Sequence, residues 1–95
     1  MASIQDSFES IQAAVKALKR HGATEVFLFG SAASGILTDH SDVDLAVRGL
    51  PPRRFFEAMG EAQRHLKMDM DLVDLDEDTP FTRHLVSHGR LQRVG

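Results

Sequence analysis

Two short stretches constrain the fold of this chain more than anything else in it. Asp42-Val43-Asp44-Leu45-Ala46-Val47 and Met68-Asp69-Met70-Asp71-Leu72-Val73 both alternate polar with apolar residues, the period of a strand with one face on a core. In the first, Val43, Leu45 and Val47 point inward while Asp42 and Asp44 point out together. In the second, Met68, Met70 and Leu72 share one side and Asp69, Asp71 and Val73 the other. Aspartate is depleted in strands. Its placement at alternate positions therefore asks for a reason beyond solvation of an open sheet face.

Helical spacing occurs before, between and after these stretches. From Ser3 to Arg20 the residues Ile4, Phe8, Ile11, Val15 and Leu18 fall on one stripe, and Gly22 after Lys19, Arg20 and His21 supplies a left-handed stop. Thr24 to Phe29 is a β-branched and aromatic run that ends at Gly30-Ser31, which predicts a buried strand and a tight turn. Pro51-Pro52 open a second helix with Phe55, Met59, Ala62 and Leu66 on one face. Thr79-Pro80 has the form of a cap followed by a first-turn proline, with Phe81 and Leu85 at helical spacing and Gly89 as the end. Leu91 to Val94 reads as a short edge strand or a tail. The apolar Phe81, Leu85, Leu91 and Val94 either finish the core or form an interface, and a homodimer stays open. The order predicts an α/β fold, a small mixed sheet with helices on one face, in a single domain over residues 1–95.

Composition removes several function classes. The chain lacks cysteine, so disulfides, thiolate metal sites and cysteine nucleophiles drop out together. A net charge of -3 argues against a general nucleic-acid surface, and no direct nucleic-acid partner is expected. No apolar run approaches the ~20 residues needed to cross a bilayer, so no membrane partner is expected and the expected location is cytoplasmic.

The chemistry is carried by carboxylates and one turn. Asp42 and Asp44, two residues apart on a strand, project to one face where both can approach a single cation. Asp71 sits at matching parity on another strand, with Asp69 as its rival, and clustered carboxylates repel unless a divalent ion neutralises them. Mg²⁺ suits an all-oxygen donor set and leaves positions for water and phosphate oxygens. Upstream, Gly30 lets backbone approach a phosphate, and Ser31 adds a hydroxyl donor. His84 and His88 stand four apart on the last helix, but no third zinc ligand is evident beside them.

Leu28-Phe29-Gly30-Ser31-Ala32-Ala33-Ser34-Gly35, followed by Ser41-Asp42-Val43-Asp44-Leu45-Ala46-Val47, resembles the Gly-Ser and Asp-x-Asp signature of the nucleotidyltransferase superfamily, and most closely its minimal nucleotidyltransferase (MNT) branch. Met70-Asp71-Leu72-Val73 matches the strand that carries that family's third carboxylate, and the resemblance runs from the first helix to about Leu91. It implies the DNA polymerase beta-like nucleotidyltransferase fold. It further implies that Asp42, Asp44 and Asp71 are the catalytic and metal-binding residues for two Mg²⁺ ions, and that Gly30 and Ser31 hold the triphosphate of ATP. The chain departs from the family's frequent pattern at Ala32 and Ser34, where phosphate-contacting arginines are common.

Proteins of this branch commonly pair with a small helical HEPN toxin, and the resemblance implies an antitoxin that adenylylates such a partner. The expected function is Mg²⁺-dependent transfer of AMP from ATP to a hydroxyl, that of a tyrosine first among them, of a HEPN toxin protein. Two alternatives stay open. One is a non-catalytic module that neutralises its partner by occlusion; the other is transfer to a small molecule.

Overall fold

The first helix is built by its apolar stripe and ended by a glycine. In the computed structural model, which describes residues 4–30, 43–66, 69–89 and 91–95 and side chains from Phe8 onward, α1 spans Ile4–Arg20. Ile11, Ala14, Val15, Ala17 and Leu18 are buried, whereas Phe8 at the distal end is exposed. Gly22 takes φ +121, a conformation L side chains avoid. That turn lets Ala23 N–H donate to Leu18 C=O at 3.1 Å and Gly22 N–H donate to Lys19 C=O at 3.1 Å, the paired bonds of a Schellman ending.

The strands are β1 (Glu25–Phe29), β2 (Val43–Arg48), β3 (Met70–Asp74) and β4 (Gln92–Arg93), and they form one sheet in the order β3-β2-β1-β4. β1 runs antiparallel to β2 and to β4, while β2 and β3 run parallel. A parallel pair needs a crossover. That crossover is α2 (Pro52–Arg64), which turns Ala58 and Ala62 inward and leaves Arg53, Arg54 and Arg64 exposed. The C-terminal segment is thus an edge strand rather than a tail. Its Val94 N–H donates to Val26 C=O at 2.9 Å, and Val26 N–H donates to Gly95 C=O at 2.9 Å.

α1 and α2 cover one face of the sheet. Val26, Leu28, Val43, Leu45, Val47 and Met70 pack against Ile11, Val15, Leu18, Ala58 and Ala62, with Phe55, Met59 and Leu72 at the margin. His21 Nε2 and Glu61 Oε2 meet at 3.0 Å and tie the end of α1 to α2. The expectation of helices on one face holds for these two helices and not for α3 (Pro80–His88). Leu85 of α3 joins Ala46 and Leu75 in a second cluster, with Phe27, Phe29, Val73 and Leu91 packed against it. Phe27, Phe29, Ala46 and Val73 have the opposite strand parity from the first cluster, so α3 belongs to the other face. Phe81 is 54% exposed; of the four apolar residues near the C-terminus, only Leu85 and Leu91 enter a core.

α3 owes its start to local chemistry. Thr79 Oγ1 accepts from Thr82 N–H at 3.1 Å and Thr82 Oγ1 accepts from Thr79 N–H at 3.0 Å, a capping box with threonine in both roles. Pro80 opens the first turn, where the missing N–H costs nothing.

Candidate active site

The pleat that buries Val43, Leu45 and Val47 sends Asp44 to the opposite face. In the parallel ladder Asp44 is the Cα partner of Asp71. Neighbouring strands lie about 4.8 Å apart, so two carboxylates stand side by side. Asp44 is half-buried and Asp71 is exposed. Across the antiparallel ladder, Asp44 pairs with Phe29, the last residue of β1. Phe29, Asp44 and Asp71 therefore form one row over three adjacent strands, and Gly30 follows directly on Phe29.

Gly30 is constrained twice. Its φ of +73 lies in the left-handed region, and a Cβ added there would collide with the Asp44 carboxylate. The only side chain compatible with both demands is hydrogen. The result is glycine backbone packed directly against the Asp44 carboxylate, which holds that carboxylate beside the end of β1.

Of the sequence-predicted residues, the structure brings Gly30, Asp44 and Asp71 together; Ser31 and Asp42 lie outside the described residues. Asp69, the rival of Asp71, is exposed at the entrance to β3, and its C=O accepts from Val43 N–H at 2.9 Å. Among the described residues no group of three or more His, Asp or Glu is placed to hold a metal ion. Asp44 and Asp71 are two carboxylates of a set whose third predicted member is Asp42. Their all-oxygen chemistry and close spacing fit Mg²⁺, which takes carboxylate ligands and retains water positions. His84 and His88 are exposed on α3 with ring centroids 5.1 Å apart.

Two features of the site were not legible in the sequence. Phe29 sits beside Asp44 through a cross-strand pairing that only the register defines. Gln63 of α2 accepts from Met70 N–H at 3.0 Å and so tethers the start of β3, one residue before Asp71. No spacing rule reports a helix side chain capping a strand.

The sequence matches the family described as Polymerase beta, Nucleotidyltransferase over residues 12–91. The chain belongs to this nucleotidyltransferase family. No curated protein matches the sequence. Among solved structures, this nucleotidyltransferase is similar to a toxin–antitoxin crystallised with AMP-PNP, at 28% identity and a TM-score of 0.64, covering 81% of this chain and 67% of that one. It is similar to a mutant of the toxin–antitoxin MntA-HpeT at 30% identity and a TM-score of 0.61, covering 82% of this chain and 67% of that one. A structure described as a minimal nucleotidyltransferase shares the fold at a TM-score of 0.72 with 22% identity, covering 94% of this chain and 95% of that one. The chain thus spans about two thirds of the toxin–antitoxin chains and nearly all of the minimal one. Among the described residues no helix is long and apolar enough to cross a membrane.

Proposed function

We propose that this nucleotidyltransferase transfers AMP from ATP to a tyrosine hydroxyl of a HEPN toxin partner and so acts as its antitoxin. The observation that carries the chemistry is the pairing of Asp44 with Asp71 beside the bare backbone of Gly30. The nucleotide reading is supported by likeness to a toxin–antitoxin that binds AMP-PNP, and the partner reading by that protein's toxin–antitoxin assembly.

Asp44 and Asp71, with Asp42, would hold two Mg²⁺ ions, which when bound offset charge on the attacking oxygen and on the departing pyrophosphate. Gly30, having no side chain, would let the triphosphate approach the turn backbone, and Ser31 would donate its hydroxyl to a phosphate oxygen. Asp71, the exposed carboxylate of the pair, lies on the open side and would take up the proton of the acceptor hydroxyl. The acceptor oxygen forms its bond to the α-phosphorus as the bond from that phosphorus to the bridging oxygen breaks, and pyrophosphate leaves. The sequence has Ala32 and Ser34 where the resemblance to the MNT branch implies phosphate-contacting arginines, which keeps occlusion of the partner as a second reading.

The two are separated by the intact mass of the co-expressed toxin after incubation with this protein, ATP and Mg²⁺. Addition of AMP by the wild type and not by Asp44→Asn is the expected result. An unmodified toxin that remains bound to both proteins would replace transfer with occlusion.

A further inference from the structure

Among the described residues β3 is an edge strand, and the strand that carries Asp71 has no neighbour there along one side. Its inner side is paired: Asp69 C=O accepts from Val43 N–H and Leu75 N–H donates to Val47 C=O, both at 2.9 Å. Backbone groups alternate between the two sides of a strand, so Met70, Leu72 and Asp74 turn theirs outward. Met70 N–H is satisfied by Gln63, and Asp74 C=O by Glu77 N–H at 3.2 Å. Leu72 N–H and C=O have no hydrogen-bond partner among the described residues.

Alongside this edge runs a groove of about 410 Å³ between α2 and β3, with Phe55 and Phe56 on one wall and Leu72 and Val73 on the other. Phe56 is 76% exposed, the most exposed large apolar side chain described. Its ring meets that of Phe55 edge to face with centroids 5.7 Å apart. Charge along the edge has one sign. Residues 69–78 contain six Asp or Glu and no Lys or Arg. Asp78 is paired with Arg83, while Asp69, Asp71, Asp74, Asp76 and Glu77 make no ion pair among the described residues.

We propose that the outer edge of β3 and the Phe56 groove dock an extended, basic segment of the acceptor protein by strand addition, delivering its hydroxyl side chain to Asp71. Strand addition supplies backbone hydrogen bonds, with alternate side chains reading pockets. A residue paired with Asp71 would point to the carboxylate face, and its two neighbours would point toward Leu72 and Phe56. The segment chemistry follows: a hydroxyl residue flanked by apolar residues, with Lys or Arg facing the acidic rim. A second copy of this chain is disfavoured as occupant because it would bring two acidic edges together. That the docked segment is the acceptor rests on the proposed transfer reaction; that the edge binds a basic strand does not.

The test uses the full chain and a labelled synthetic peptide with tyrosine between valines and lysines at both ends, with binding read by fluorescence anisotropy. Wild type should bind saturably, more weakly at higher salt, and a peptide with glutamates for the lysines should not bind. Phe56→Ser alters an exposed side chain and should weaken binding by about tenfold. Leu72→Pro deletes an outward N–H together with one side chain of the groove wall, and should do the same. Thermal shift with ATP and Mg²⁺ reads the nucleotide site separately and should be unchanged in Phe56→Ser. Peptide binding without any ATP shift in wild type would sink the transfer reading and leave the docking edge standing. Absence of peptide binding by wild type, equal binding of the glutamate peptide, or a dimer abolished by Phe56→Ser would overturn the proposal.

Discussion

The two faces of the sheet are built on different physics. Beneath α1 and α2, Val26, Val43, Leu45 and Val47 are wholly buried among aliphatic side chains from both helices. On the other face the buried set shrinks to Ala46, Leu75 and Leu85, and the row ends in Asp44 and Asp71. Adjacent residues of one strand serve both: Leu45 belongs to the first face, Asp44 to the second. A face devoted to packing can hold in place a face that carries neighbouring like charges, because burial on the first offsets the electrostatic cost of the second.

This contrast can be broken or sharpened by substitution. The largest effect is expected for Asp44→Asn on transfer: losing a metal ligand should remove several kcal/mol of transition-state stabilisation, more than about a hundredfold in rate. Its melting temperature should change little. A collapse of stability instead would mean the carboxylate face is structural.

Leu45→Ala, one residue away, should do the reverse and lower unfolding free energy by about 2–5 kcal/mol in denaturant titration. Against a total of ~5–15 kcal/mol for a natural domain, that is enough to populate the unfolded chain. Thr79→Ala, which removes half of the α3 capping box, should cost about 1 kcal/mol. If it also slowed transfer, α3 would be more than a cover for the second cluster.

Asp71→Asn should leave stability unchanged or raise it by ~0.2–1 kcal/mol without Mg²⁺, since like charges paired across strands destabilise. A loss of stability in that variant would argue that the two carboxylates do not repel.

The smallest effect belongs to the exposed Asp78–Arg83 pair. Arg83 Nε donates to Asp78 Oδ1 at 2.6 Å and holds the Asp78 carboxyl below its ordinary value of 3.8. A depressed carboxyl contributes stability above its unfolded value, and that contribution fades as pH falls through the lower folded value. Any stability gap between wild type and Asp78→Asn should therefore be small at neutral pH and vanish in strong acid, as thermal melts across pH would show.

Most of the fold was legible because its signals are local. The stripe from Ile11 to Leu18, the Gly22 stop and the Thr79-Pro80 start each depend on residues within a few positions of one another, and all three appear as expected. Some boundaries moved by a residue or two: β2 continues to Arg48 and β3 runs Met70–Asp74. The placement of α3 was not legible, because Leu85 at helical spacing says that the helix is amphipathic and nothing about which face it covers. Phe81 was ambiguous for the same reason, and the structure leaves it exposed.

Within the candidate site, parity alone put Asp44 opposite the core, since a pleated strand has two sides and Val43, Leu45 and Val47 occupy one. The family likeness was likewise carried by residues close together in the chain. What the tertiary structure decided was the register. Only the parallel ladder makes Asp44 and Asp71 neighbours, only the β1–β2 pairing sets Gly30 against the Asp44 carboxylate, and only the strand order leaves β3 at the edge. Periodicity determines which side of a strand a residue faces, but pairing between distant segments depends on how all the elements pack at once.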